Sequence, residues 1–176
     1  IEAQRDTTVQ YGPSNPRINE HGKVVKYEFA SGGGTFLDVH PATPRTWFSS
    51  TPRTLIAEGL LKGDSALTAQ LRTWYDDDTL AATSADVSNR NTALRRLAQL
   101  LDGIPQSERT SIVSIGGVGN WRQNPEWFGM RLQGKPVIVA FDGDVDTNWN
   151  VWAQAADMYQ FLADSKKAEP ALLSLS

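Results

Sequence analysis

The sequence predicts an α/β domain with a largely parallel sheet flanked by helices, preceded by an N-terminal β-hairpin extension. Three observations carry that expectation. Short apolar runs at 54–57, 111–115 and 136–141 have the length and composition of strands. Helix-period segments lie between and after them, at 64–74, 92–102 and 150–164. The run from Pro136 to Phe141 is apolar without alternation, the pattern of a strand buried on both faces of a parallel sheet. Strands alternating with helices favour parallel pairing through crossover connections.

Residues 1–22 are polar and broken by Gly12, Pro13, Asn15, Pro16 and Gly22, which reads as loop or extended chain. Lys23 to Phe29 and Thr35 to Val39 read as two strands joined by Ser31-Gly32-Gly33-Gly34, a hairpin. Pro41, Pro44 and Pro52 punctuate a linker, so residues 1–52 form the extension and 53–176 the main domain. Thr54 to Ala57 is a short strand followed by Glu58-Gly59. The next helix, 64–74, places Leu67, Leu71 and Trp74 on one face, with Asp64 or Ser65 able to cap its first turn. Residues 76–91 are acidic and rich in small side chains, an exposed stretch within an insertion spanning about 76–110. The helix at 92–102 aligns Leu94, Leu97, Ala98 and Leu101, and Gly103 and Pro105 stop it. The strand at 111–115 runs into Gly116-Gly117-Val118-Gly119-Asn120-Trp121. After the strand at 136–141 comes Asp142-Gly143-Asp144, then a helix with Val151, Ala155, Met158 and Leu162 at helical spacing. Asp146, Thr147 or Asn148 is available to cap that helix, and Pro170 introduces a last strand at 171–176.

Composition narrows the function classes. At 176 residues the chain fits one domain, and 40% apolar with 21% charged residues is the balance of a soluble globular protein. Its apolar runs are too short to cross a bilayer, and no tripartite leader opens it. The absence of cysteine excludes disulfides and Cys-ligated zinc, and is compatible with the cytoplasmic location we expect. A net charge of -3 supplies no global positive field for nucleic acid, so any such contact must be local, metal-mediated or shared with other domains. The chain starts at Ile1 without methionine and stops inside a predicted strand, which leads us to expect a piece of a larger protein.

The chemistry concentrates in two acidic motifs that directly follow apolar strands, Glu58-Gly59 and Asp142-Gly143-Asp144. In open α/β sheets ligands collect outside the carboxyl ends of strands, so both motifs belong to the working edge. One intervening residue sends the side chains of Asp142 and Asp144 the same way along extended backbone, and Gly143 lets the chain turn close to a ligand. Three converging carboxylates would raise one another's pKa values unless a cation intervened. All-oxygen ligation suits Mg²⁺ (or Mn²⁺), which neutralises phosphoryl charge and activates an attacking hydroxyl. A secondary candidate is the glycine turn. Gly117 and Asn120 could offer backbone N–H groups to a phosphate, with Trp121 and Arg122 able to stack on and pair with nucleic acid. Against this, a plain glycine turn and a core tryptophan explain the same residues, and Trp74 and Trp152 read as packing residues on their helices. His21 and His40 are isolated, and neither suggests a metal ligand.

Ile56-Ala57-Glu58-Gly59 followed by Val139-Ala140-Phe141-Asp142-Gly143-Asp144 resembles the signature of the Toprim family, which includes DnaG-type primases, topoisomerases and certain nucleases. Closer still is the similarity to a Toprim-like domain of unknown function found beside helicase modules in phage and plasmid replication proteins. It extends to Asp38-Val39-His40-Pro41, to the stretch from Glu58 to Leu67 and to Gly117-Val118-Gly119-Asn120-Trp121, covering roughly residues 36–176. The resemblance implies a Rossmann-like Toprim fold. It also implies Asp142 and Asp144 as Mg²⁺ ligands, and Glu58 as a ligand or acid/base in primase-type nucleotidyl transfer. The implied partners are single-stranded DNA template, nucleotides and a helicase domain in the same or a partner chain, with no membrane. In one departure, Lys62 stands where primases usually carry an aspartate, available to pair within the acidic cluster or to contact a phosphate. A Toprim nuclease would use the same carboxylates. A non-catalytic module that binds DNA or couples a helicase is the contrasting class, favoured by Lys62 and the negative charge. A haloacid-dehalogenase-like phosphatase also places Asp-X-Asp after a strand, but expects Thr or Val where this chain has Asp146.

Overall fold

The computed structural model describes residues 10–11, 14–19, 22, 24–25, 28–29, 36–84, 89–116, 121–141 and 147–173. A short antiparallel pair, β1 (Gln10–Tyr11) and β2 (Glu28–Phe29), opens the chain, with a bridge between Ile18 and Val24 inside it. The N-terminal hairpin therefore pairs residues 28–29 with 10–11, within a segment read from the sequence as loop or extended chain, rather than with 35–39. Residues 31–35 lie outside the described residues. Asp38 belongs instead to the main sheet, where it exchanges two 2.8 Å backbone hydrogen bonds with Ser114.

The proline-punctuated segment that follows is packed structure. The one-turn helix α1 (Trp47–Ser50) carries Trp47, which is wholly buried, and Leu37 and Ala42 are buried as well. Thr51 donates its hydroxyl to the Trp47 carbonyl at 2.8 Å, and Ser111 donates to the same oxygen at 3.0 Å, tying α1 to the sheet.

Next come β3 (Arg53–Glu58), α2 (Leu60–Arg72), α3 (Asp77–Ser84), α4 (Arg90–Gly103), β4 (Thr110–Ile115), β5 (Pro136–Ala140), α5 (Trp149–Asp164) and β6 (Glu169–Leu173). Strands β4, β3, β5 and β6, in that order, make a four-stranded sheet whose neighbours are all parallel. This is the α/β arrangement with a parallel sheet that the alternating pattern predicts, and its form is Rossmann-like. Parallel pairing demands cover on both faces, and strand alternation divides the cover in two. Ile56, Val113, Val137 and Val139 face a core with Met158 and Leu162 of α5 and with Trp121 and Trp127. Ile112 on the other face packs with Trp47, Leu67 and Leu71 of α2, and Leu101 of α4.

Several boundaries move for identifiable reasons. Helix α2 starts at Leu60, four residues before the predicted start, because Gly59 turns the chain at φ 84° with no side-chain cap. Asp64 and Ser65 sit inside the helix, and Trp74 falls beyond its end, where it is 45% exposed. Residues 77–84, expected within an exposed insertion, form α3. Asp76 starts it by accepting the Thr79 N–H at 2.7 Å. Of the three candidate caps for α5, Asn148 caps it through the Asn150 N–H at 3.2 Å. The final strand begins at Glu169 rather than 171. Among the described residues no helix is long and apolar enough to cross a membrane.

Candidate functional site

Strand order fixes where a ligand crevice forms. The chain leaves β3 through α2 towards β4 on one side, and leaves β5 through α5 towards β6 on the other. The two helices cover opposite faces, so β3 and β5 flank the point at which the winding direction reverses. The crevice outside the carboxyl ends of such a strand pair is where open α/β sheets bind ligands.

Glu58 is the last residue of β3 and stands at this crevice, half-buried. It is level with Ile115 on one neighbour, and the Gly59 N–H continues the ladder to the Ile115 carbonyl at 2.9 Å. On the other side Ala57 is the register partner of Ala140. Phe141 follows Ala140 and is buried. Asp142 and Asp144 come next in the sequence and lie outside the described residues, as do Gly117 and Asn120. Lys62 is half-buried on the first turn of α2, and both it and Glu58 are engaged in interactions. Among the described residues no three His, Asp or Glu side chains group to hold a metal. Glu58 is the sole described member of the predicted trio.

Gly63 brings α2 against the sheet at this edge. A Cβ there would sit 1.9 Å from the Ser114 hydroxyl oxygen, so only hydrogen fits. Ser114 is also the residue bridged by Asp38, which places a further partly buried carboxylate near the end of β4. Burial, and then the charge of Asp64, push the Asp38 carboxyl above its ordinary value, with His40 and the Val39 N–H pulling weakly the other way. His40 itself braces a turn, its Nδ1 accepting the Ala42 N–H at 3.2 Å. In the sequence Asp38 stands out only within Asp38-Val39-His40-Pro41. Its closeness to Asp64 depends on a pairing with β4 that no local pattern announces.

The secondary candidates divide. Trp121 is 1% exposed, with Trp127 and Phe161 at centroid distances of 6.4 and 5.2 Å, and it offers no face to a nucleobase. Of the two readings of Trp121, the core one holds, and the nucleic-acid contact does not. Arg122 lies over the Trp121 ring at 4.9 Å and pairs with Asp157 at 3.3 Å, so its charge is directed at the protein. A separate open groove of about 450 Å³ is lined by Arg53, Leu55, Gln70, Trp74, Thr110 and Ile138. Because Arg53 and Thr110 begin their strands, this groove lies at the amino edge, away from Glu58. No family model, no curated protein and no solved structure matches the chain.

Proposed function

We propose that the chain is the Toprim-like, Mg²⁺-dependent domain of a cytoplasmic DNA replication or mobile-element protein, acting in primase-type nucleotidyl transfer on a single-stranded DNA template. The observation that supports this reading is the register of β3 with β5. Ala57 and Ala140 are partners on adjacent parallel strands, and the sequence continues to Glu58 one residue past the first and to Asp142 two past the second. Motif halves far apart in the chain thus leave from neighbouring strand ends at the reversal of winding.

The donor set suits a hard divalent ion, since three carboxylates offer only oxygen. Asp142 and Asp144 would hold it, with Glu58 completing the set or accepting the proton of the attacking hydroxyl. The ion, when bound, supplies charge neutralisation at the phosphoryl group. Lys62, four residues past Glu58, would offset the gathered negative charge or contact a substrate phosphate. A helicase domain in the same or a partner chain would deliver the template.

The test is template-directed incorporation of labelled nucleotides by the full-length protein with Mg²⁺ or Mn²⁺, alongside calorimetric titration of the ion. Glu58→Gln, Asp142→Asn and Asp144→Asn should each lower incorporation by about 100-fold or more. The two aspartate variants should also weaken ion binding. Unchanged ion affinity and unchanged activity in all three would overturn the reading. Strand nicking without synthesis, lost in the same variants, would move the assignment to a nuclease.

A further inference from the structure

The tryptophans are unequally housed. Trp47, Trp121 and Trp127 are at most 2% exposed, whereas Trp149 is 72% and Trp152 45% exposed. Both exposed rings belong to the first turn of α5, off the stripe of Val151, Ala155, Met158 and Leu162 that the helix buries. Their three-residue spacing makes them surface neighbours, and the rings are stacked, with centroids 4.9 Å apart and planes inclined by 20°. Tyr159, 42% exposed, continues the same side of the helix two turns on. Topology sets where the pair stands. Since β5 and β6 are parallel, α5 must run back against the strands, and its first turn lies at the carboxyl edge that Glu58 also occupies. From Asn148 to Ala156 the sequence carries no charged side chain, and the next charge, Asp157, is held by Arg122.

We propose that Trp149 and Trp152 form a stacking platform for the unpaired bases of single-stranded DNA. The inference rests on the reading of this edge as a site for nucleic-acid phosphates, and it adds the surface that grips the strand. Two indoles already stacked, with the outer ring largely open, are extended by another flat π-face, and every nucleobase supplies one. The stretch from Asn148 to Ala156 adds no charge of its own to the edge, and the repulsion of the acidic residues that precede it would be offset by the ion of the proposed function. A duplex keeps its bases stacked on each other and cannot offer them, so the platform selects single strands.

The test is fluorescence anisotropy of labelled oligothymidylate with the full chain, set against a duplex of equal length. Wild type should favour the single strand. The Trp149→Ala/Trp152→Ala pair should lose about tenfold or more in affinity, the loss expected when base stacking is removed. The Trp149→Phe/Trp152→Tyr pair should recover most of it. Trp74→Ala, at the amino edge, should bind as wild type. Equal binding by the alanine pair, equal binding of duplex, or no binding by wild type would overturn the inference. So would a change confined to oligomeric state, which would make the surface a protein interface. Asp142→Asn separates the two ideas. Normal strand binding by the tryptophan variants, with metal and activity lost in Asp142→Asn, sinks only the platform. Strand binding lost in the tryptophan variants, with metal and activity intact in Asp142→Asn, sinks only the metal site.

Discussion

Replacing Gly63 by alanine tests how closely α2 is set against the sheet beside Glu58. The added Cβ would lie 1.9 Å from the Ser114 hydroxyl oxygen and 3.3 Å from its Cβ, where ordinary contact begins at 3.4 Å. Ser114 is 3% exposed, so its side chain has little room to turn away, and even a turned hydroxyl leaves the carbon contact tight. Overpacking of this kind costs about 1–3 kcal/mol, against a helix-propensity gain of at most about 1 kcal/mol for Gly to Ala. The net expectation is a loss of up to about 2 kcal/mol, towards the upper end because the approach to the Ser114 oxygen is far inside contact. In a Ser114→Ala background the oxygen is gone, and the same substitution should cost less than about 1 kcal/mol. Urea denaturation of the four proteins, followed by circular dichroism, gives the double-mutant cycle. If Gly63→Ala is as stable as wild type, or costs the same in both backgrounds, the close approach of α2 to β4 is wrong.

Two further predictions concern residues beside the site. Trp121→Ala should destabilise by about 3–5 kcal/mol, because it empties a cluster shared with Trp127 and Phe161, whereas Arg122→Ala should cost less than about 1 kcal/mol for a half-exposed ion pair. Denaturation midpoints check both, and a Trp121→Ala protein as stable as Arg122→Ala would contradict the packing. Asp38 has a raised folded-state pKa, so it favours the fold below its ordinary value of 3.8 and loses that contribution as pH rises through the folded-state value. Its ionised form is then a net cost at neutral pH, and Asp38→Asn should be more stable than wild type there, with the advantage shrinking in acid. Stability measured across the acid range decides it, and an advantage that grows as pH falls would reverse the sign.

The strands of the main sheet were legible because burial on both faces writes itself as uninterrupted apolar sequence, as in Val137 to Ala140. Their lateral order was not, since such runs look alike from either neighbour. Amphipathic spacing gave α4 and α5 to within two residues, but α2 lacked a capping side chain at its true start. The cover of residues 36–52 was hidden by its prolines, although Trp47 is as buried as any residue in the chain. In α3 the signal was present and local, an Asp76 three residues before Thr79, but small side chains gave it little apolar contrast. Trp152 was misjudged for a geometric reason. It lies one residue beyond Val151, and 100° of helical rotation turns it off the buried stripe.

The proposed function asks a chain of net charge -3 to meet phosphate without a global positive field. A uniformly basic surface is one route to nucleic acid, and this sequence does not take it. The alternative that the proposed function requires is local. Apolar residues of β3 and β5 fix two strand ends side by side, with Glu58 at the end of the first; in the proposed reading a divalent ion there would exchange the repulsion of the carboxylates for attraction to phosphate. The helix leaving β5 brings exposed aromatic surface, Trp149 and Trp152, to that edge, and contact with base faces, as proposed, would add affinity that needs no basic side chain. The proposed division of the work, an ion for the backbone and indoles for the bases, would rest on β3 and β5 being neighbours and on α5 running back from their carboxyl ends.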